Sequence, residues 1–318
     1  MSQPTKRLLA GMVRIRPLRG IGRFLKLLWN LLTAGNTPFL RSARPGHFYS
    51  PLPDIRACRA DADHLFETDL KECPGVDLSE HAQLELLKEL SRYYADFPFE
   101  DAPNSRYRFH CNNGFFGGGE ALILYCMLRH FQPAGIVEVG SGYTSALMLD
   151  ARDLFLPETR LTFIEPHPAR LFSLLRQADK ERCRILVEPV QNTDQAVFRE
   201  LAANDFVFLD SSHVAKIGSD VVHILANILP QLKPGTIIHF HDIYWPFEYP
   251  KDWVLDKGRA WNEAYFLRSF LQFNSDFEIL FFNSFVARAC DNDLRKTMPA
   301  LFKEPGGSIW LRRRADDS

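Results

Sequence analysis

A chain of 318 residues with 46% hydrophobic content has the apolar material for one large domain with appendages or two modest ones, which excludes disorder as the default state. Its formal net charge of −1 excludes a surface built overall to neutralise phosphates. No stretch reaches the roughly 20 apolar residues that a membrane-spanning helix requires, so the body of the protein reads as soluble. Cys58, Cys73, Cys111, Cys126, Cys183 and Cys290 contain no Cys-x-x-Cys pair, which argues against a zinc knuckle or a disulfide framework and fits a reducing cytoplasm.

The charge is unevenly spread. Before residue 47 stand Lys6, Arg7, Arg14, Arg16, Arg19, Arg23, Lys26, Arg41 and Arg44, with no Asp or Glu. Within this basic arm, residues 1–46, the run Ile21–Leu32 places Phe24, Leu25, Leu28 and Leu32 at helical spacing with Arg23 and Lys26 on the flanks. Three readings stay open for it: an amphipathic helix packed on its own protein, peripheral contact with an anionic membrane surface, or a targeting peptide.

Residues 47–114 read as a helical preface. RPGHFYSPLP at 44–53, rich in Pro, Gly and aromatics, suits a fixed irregular segment, and a helix is expected over 79–95 with Ser79 as its N-cap and Gln83 near the capping-box position. The glycine-rich loop Asn112–Gly119 leads into an apolar helix, Glu120–Phe131, and opens the main domain, 115–318. Strands follow at Gly135–Val139, Leu161–Ile164, Cys183–Val187, Phe206–Leu209 and Thr236–Phe240, alternating with helices at 144–155, 169–179, 196–203 and 214–232. After a helix at 260–273, Phe277–Phe285 and Ser308–Arg313 complete seven strands, the last antiparallel. The alternation predicts an α/β fold, a Rossmann-like, doubly wound and mostly parallel sheet with active residues at the C-terminal strand ends.

The first strand runs into Glu138–Ser145 (EVGSGYTS), where Gly140 and Gly142 let the backbone turn sharply and approach a ligand closely. The second ends at Glu165, placed to accept hydrogen bonds from both ribose hydroxyls of a nucleoside cofactor. The fourth ends in Asp210-Ser-Ser-His213 and the fifth in His239-Phe-His241-Asp242, so two carboxylates and up to three imidazoles reach one sheet edge. Oxygen and imidazole donors of this kind suit a divalent cation, Mg²⁺ or Mn²⁺. Ile243–Trp253 (IYWPFEYPKDW) reads either as an aromatic acceptor wall carrying Tyr244, Trp245, Phe247 and Tyr249 or as a buried hydrophobic loop, with Trp261 and Glu263 just beyond.

EVGSGYTS resembles motif I of the class I S-adenosylmethionine (SAM) dependent methyltransferases, with Thr144 in place of the third glycine, and Glu165 matches their motif II. The resemblance implies SAM as cofactor, with Glu138, Gly140, Ser141, Gly142, Glu165 and Asp210 around it. The strand-four and strand-five ends are similar to the metal-dependent O-methyltransferases of the catechol and macrocin types. That similarity implies Asp210, His241 and Asp242 as the metal set and His213 as general base; His241 departs from the usual acidic or amide residue. GHFYSPLPD, NNGFFGGGEA and HFHDIYWPFEYP also resemble a bacterial group of methyltransferase-domain proteins, from about residue 45 onward. The implied activity is O-methylation of a hydroxyl on a sugar or small polyhydroxylated metabolite, with a homo-oligomer left open. Two alternatives remain: a catalytically inactive SAM-fold assembly protein, and an NAD(P)-dependent oxidoreductase, which would need glycine at Ser145. Nucleic acid is disfavoured as a partner because the basic residues lie outside the core.

Overall fold

The computed structural model describes residues 42–290 and 292–315, together with residues 22, 24–26, 28–30, 32 and 33. The basic residues before Gly22, and Ile21, Arg23 and Arg41, lie outside the described residues. The chain divides into two compact units, Met1–Leu65 and Phe66–Ser318.

In the first unit the described residues of 22–33 are helical, and Phe24, Leu25, Leu28 and Leu32 are exposed. The aromatic, proline-rich segment that follows forms neither helix nor strand over 43–54. Asp54 ends it by accepting from the Arg56 and Ala57 amides, which caps the helix Ile55–Ala60. Among the described residues no helix is long and apolar enough to cross a membrane.

The second unit is built on one sheet of β1 (Gly135–Val139), β2 (Arg160–Ile164), β3 (Arg184–Leu186), β4 (Phe206–Leu209), β5 (Ile237–His241), β6 (Phe277–Phe282) and β7 (Ser308–Arg313), in the order β3-β2-β1-β4-β5-β7-β6. The first five are parallel and β7 runs antiparallel to β5 and β6. β1, β4 and β5 are buried along their whole length, as strands covered on both faces must be. Register does the rest: Val139 pairs with Leu209, and Leu209 with Phe240, so the turns after β1, β4 and β5 emerge side by side.

Several local expectations change. Ser79 does not cap the helix Glu80–Ser91; it sits at φ 47 with no side-chain cap bond. Gln83 turns inward, donating to Leu78 O (2.5 Å) and accepting from the Phe282 amide (2.7 Å), because burial demands partners that a surface capping box would not supply. The helix expected over 169–179 breaks into Ala169–Leu174 and Gln177–Arg182, and that over 214–232 begins only at Asp220. β6 stops at Phe282, where Asn283–Ala289 turns helical.

Residues 66–114 pack into the second unit's core through Leu87, Leu90, Phe99 and Phe109. One buried ion cluster fixes them there. The Arg108 guanidinium reaches Asp150 (2.7 Å), Asp153 (2.8 Å) and Asp179 (2.6 Å), while the amides of Arg108 and Phe109 both donate to Asp150 (2.8 Å). This joins the segment to the helix that follows the glycine turn.

Candidate active site

A cavity of about 1290 Å³ opens at the C-terminal ends of β1, β4 and β5. Its floor is Ser141–Thr144 together with Asp210, His241 and Asp242; the loop 111–118 forms one side, and Tyr244, Trp253, Arg259 and Trp261 form another.

The glycine turn follows from its surroundings. Gly140 has φ +82, and a Cβ there would run into the Asp210 carbonyl oxygen, so only glycine lets β1 turn beneath β4. Gly142 leads into the helix Tyr143–Phe155, where the Ser145 hydroxyl accepts from the Gly142 amide (2.9 Å). Glu138 is fully buried and does not line the cavity: it accepts hydrogen bonds from the hydroxyls of Thr144 and Ser145, pinning the turn from below. Burial pushes its carboxyl up to about 8, against the pull of the two hydroxyls. Glu165 closes the turn from the β2 side, accepting from the Ser141 amide (3.2 Å) and the His167 amide (2.6 Å). The buried Ser141 hydroxyl has no directed hydrogen bond. A turn with no intruding Cβ, a carboxylate at the neighbouring strand end and a free hydroxyl between them fits the ribose and amino-acid portions of SAM.

The β4–β5 side is built from opposed charges. His213, at φ +59, is buried with Nδ1 2.9 Å from Glu263 Oε2 and Nε2 3.4 Å from Asp210 and 3.6 Å from Asp242. Ser211 completes this turn, donating to Glu263 (2.8 Å) and accepting from the His213 amide (2.9 Å). Burial works to lower the His213 imidazolium, but Asp210 and Glu263 outweigh it and raise it to about 9. His241 lies 3.4 Å from Glu120 and 3.6 Å from Asp242, and these carboxylates, with Asp210, hold it well above the usual histidine range despite its burial. In turn, burial would raise Asp210, yet His241 and His213 keep it low; for Asp242 burial prevails and the carboxyl is raised.

His239, one turn of the pleat away, is a different residue chemically. Its ring stacks on Phe208 at 3.8 Å, and Nε2 lies 3.0 Å from Ser308 Oγ. Ser308 gives its one proton to the Glu120 carboxylate (2.7 Å), so Nε2 of His239 must donate. Burial keeps that ring neutral. Of the two histidines on one face of β5, His239 belongs to the core.

Asp210, His241 and Asp242 do meet at the cavity, as expected, but among the described residues no three His, Cys, Asp or Glu side chains converge as a metal-holding group. The physical reason lies in β5: Asp242, at φ +57, aims its carboxylate at His213 and His241. The positive charge that a cation would bring is already supplied by two imidazoles. The donor set therefore does not fit Mg²⁺ or Mn²⁺, which prefer oxygen ligands free of such pairing.

The aromatic segment divides. Trp245, Phe247 and Tyr249 are buried core residues, whereas Tyr244 and Trp253 face the cavity. Two residues gain roles that the sequence reading had not given them. Glu120, the first-turn acid of an otherwise apolar helix, lines the cavity beside His241 and accepts from the Gly307 amide (3.0 Å). Glu263 is the buried partner of His213. An acid isolated in an apolar run was the available signal for Glu120; Glu263 is expected beside the aromatic segment, but its pairing with His213 spans 50 residues and no local pattern marks it.

A family model described as a methyltransferase domain matches residues 137–243, from within β1 to just past β5. An uncharacterized protein of Archaeoglobus fulgidus is 32% identical over 169 residues, which cover 50% of this chain and 74% of the relative. Among solved structures, the O-methyltransferase TomG from Streptomyces achromogenes, in complex with SAM, is 16% identical with a TM-score of 0.41, over 81% of this chain and 96% of its own. The O-methyltransferase from Bacillus cereus in complex with SAH is 15% identical with a TM-score of 0.39, over 81% and 97%. The matched domain spans the glycine turn and both charged strand ends, so residues 137–243 carry a methyltransferase domain.

Proposed function

We propose that the protein transfers a methyl group from SAM to a hydroxyl of a sugar or another small polyhydroxylated metabolite. The observation that carries this reading is that one cavity joins the glycine turn of β1 to the Asp210, His241 and Asp242 cluster and to the rings of Tyr244, Trp253 and Trp261. Bound there, SAM supplies an electrophilic methyl on a sulfonium. The backbone of Gly140–Gly142 and Glu165 hold the nucleoside, and the aromatic wall takes the flat face of the acceptor.

The acceptor's proton leaves through Asp242 and His213, with Glu263 fixing the imidazole by its Nδ1–H. In the unliganded site His213 holds its own proton at neutral pH. A sulfonium cation nearby favours passing that proton by way of Asp242 to water in the cavity before the acceptor binds, since like charges disfavour one another in a buried site. No metal-dependent step is part of this reading, because the carboxylates are balanced by imidazoles.

Calorimetry on chelator-treated protein tests the reading. The expected result is SAM binding of the same affinity with and without Mg²⁺ or Mn²⁺, and no binding of NAD⁺. NAD⁺ binding without SAM binding overturns the assignment of the site, and a metal isotherm lost in Asp242→Ala overturns the metal-free mechanism.

A further inference from the structure

The acceptor side of the cavity holds a cation with nothing to bind. Arg259 lies with its guanidinium carbon 4.0 Å from the ring centroid of Trp253 and 4.4 Å from that of Trp261. Trp261 itself packs on His213, tilted at 4.4 Å between centroids, and meets Trp253 edge-on, so a chain of ring contacts runs from the imidazole beside Asp210 and Asp242 out to Arg259 and Trp253. Among the described residues the Arg259 guanidinium has no hydrogen bond and no ion pair. Asp252, in the helix just before it, is paired with Lys257 at 2.7 Å. The buried guanidinium of Arg108, by contrast, is paired with three aspartates.

Contact with aromatic rings uses no N–H donor of the guanidinium, so its hydrogen-bonding groups remain for a ligand. The loop is held in place: the Arg259 amide donates to Trp253 O (2.9 Å), closing the short loop after the helix Lys251–Leu255. A half-buried arginine in the cavity wall, set against two indole rings with its donors unfilled, is placed to take a planar or tetrahedral oxyanion. Lys303, which lines the same cavity without a hydrogen-bonded or ion-paired partner among the described residues, adds charge of the same sign. The acids of the lining do not answer Arg259: Glu120, Asp210 and Asp242 are engaged with His241 and His213, and among the described residues neither Asp101 nor Glu304 forms an ion pair with it.

Resting on the methyltransferase reading above, we propose that the acceptor carries an oxyanion, a carboxylate or a phosphate, which Arg259 binds through its guanidinium N–H groups while the acceptor hydroxyl reaches the Asp242–His213 end of this chain of ring contacts. Arg259 selects acidic acceptors over neutral ones of the same shape.

The test uses the full chain saturated with S-adenosylhomocysteine, titrated by calorimetry with benzoate, benzamide and inorganic phosphate. Benzoate is expected to bind about tenfold or more tightly than benzamide, the difference that a charge-assisted pair supplies. In Arg259→Gln the two should bind alike, and in Arg259→Lys the preference should be partly kept, with S-adenosylhomocysteine affinity unchanged in both. Phosphate binding tighter than benzoate identifies a phosphorylated acceptor, and the reverse a carboxylate. Equal binding of benzoate and benzamide to the wild type, failure of both anions to bind it, or a preference that survives Arg259→Gln overturns the proposal. Failure of S-adenosylhomocysteine to bind the wild type instead overturns the cofactor reading, which the anion preference does not touch.

Discussion

The two edges of the cavity are held by different physics. At the β1 edge the turn is fixed by backbone fit and by hydrogen bonds to a carboxyl that burial keeps protonated at neutral pH: Gly140 under Asp210, and Glu138 gripped by Thr144 and Ser145. At the β4–β5 edge, His213 and His241 are held as cations among Asp210, Asp242, Glu120 and Glu263. The first arrangement is rigid, as a site for an invariant cofactor should be. The second can change its charge when a ligand arrives, as a site that must accept a proton should.

The comparison is broken most completely at Gly140, where the edges touch. Gly140→Ala places a methyl group against the Asp210 carbonyl in a backbone region that L-residues avoid, and neither partner can retreat without moving β1 or β4. Loss of S-adenosylhomocysteine binding by about 100-fold or more is expected by calorimetry, with a fall in thermal midpoint. Unaltered binding would show that the turn is not where the cofactor lies.

His213→Ala separates the edges instead of joining them. Turnover should fall by about 100- to 10,000-fold, the usual worth of a positioned base, while SAM affinity stays within a few-fold. Glu263→Gln, which keeps the shape but removes the charge opposite Nδ1, should cost about tenfold to 100-fold in kcat with little change in KM. Equal losses of SAM binding in both variants would mean that the charged edge supports the cofactor and not the acceptor.

How much of this was legible in the sequence follows the same division. Strand-turn-helix signals are local, so β1, β4 and β7 were bounded to the residue, and EVGSGYTS marked the glycine turn. Register then placed Asp210, His241 and Asp242 together because parallel strands carry their ends to one edge. What could not be read was charge state and direction. His239 and His241 differ by two residues and share a face, yet Phe208 and Ser308 make one neutral while Glu120 makes the other cationic. Those partners come from β4, β7 and a helix more than 100 residues away, and no local pattern encodes them. The same distance hid Glu263 behind His213 and turned an expected metal set into carboxylate–imidazole pairs.

The smallest effect is the most diagnostic of the uncharged edge. Glu138 titrates from an ordinary value of 4.5 to about 8 in the folded protein, because burial penalises its anion more than Thr144 and Ser145 can repay. Between those two values the folded state holds a proton that the unfolded chain has released, so this group's contribution to stability is complete below about pH 4.5 and is lost as the pH climbs to about 8. Glu138→Gln removes the ionisation but keeps an amide that can still meet the two hydroxyls. Its thermal midpoint relative to the wild type should therefore rise steadily from pH 5 to pH 8, a gain of a few kcal/mol at most. A difference that stays flat across that range would mean that Glu138 is ionised when folded, and that the β1 edge, like the other, is held by charge.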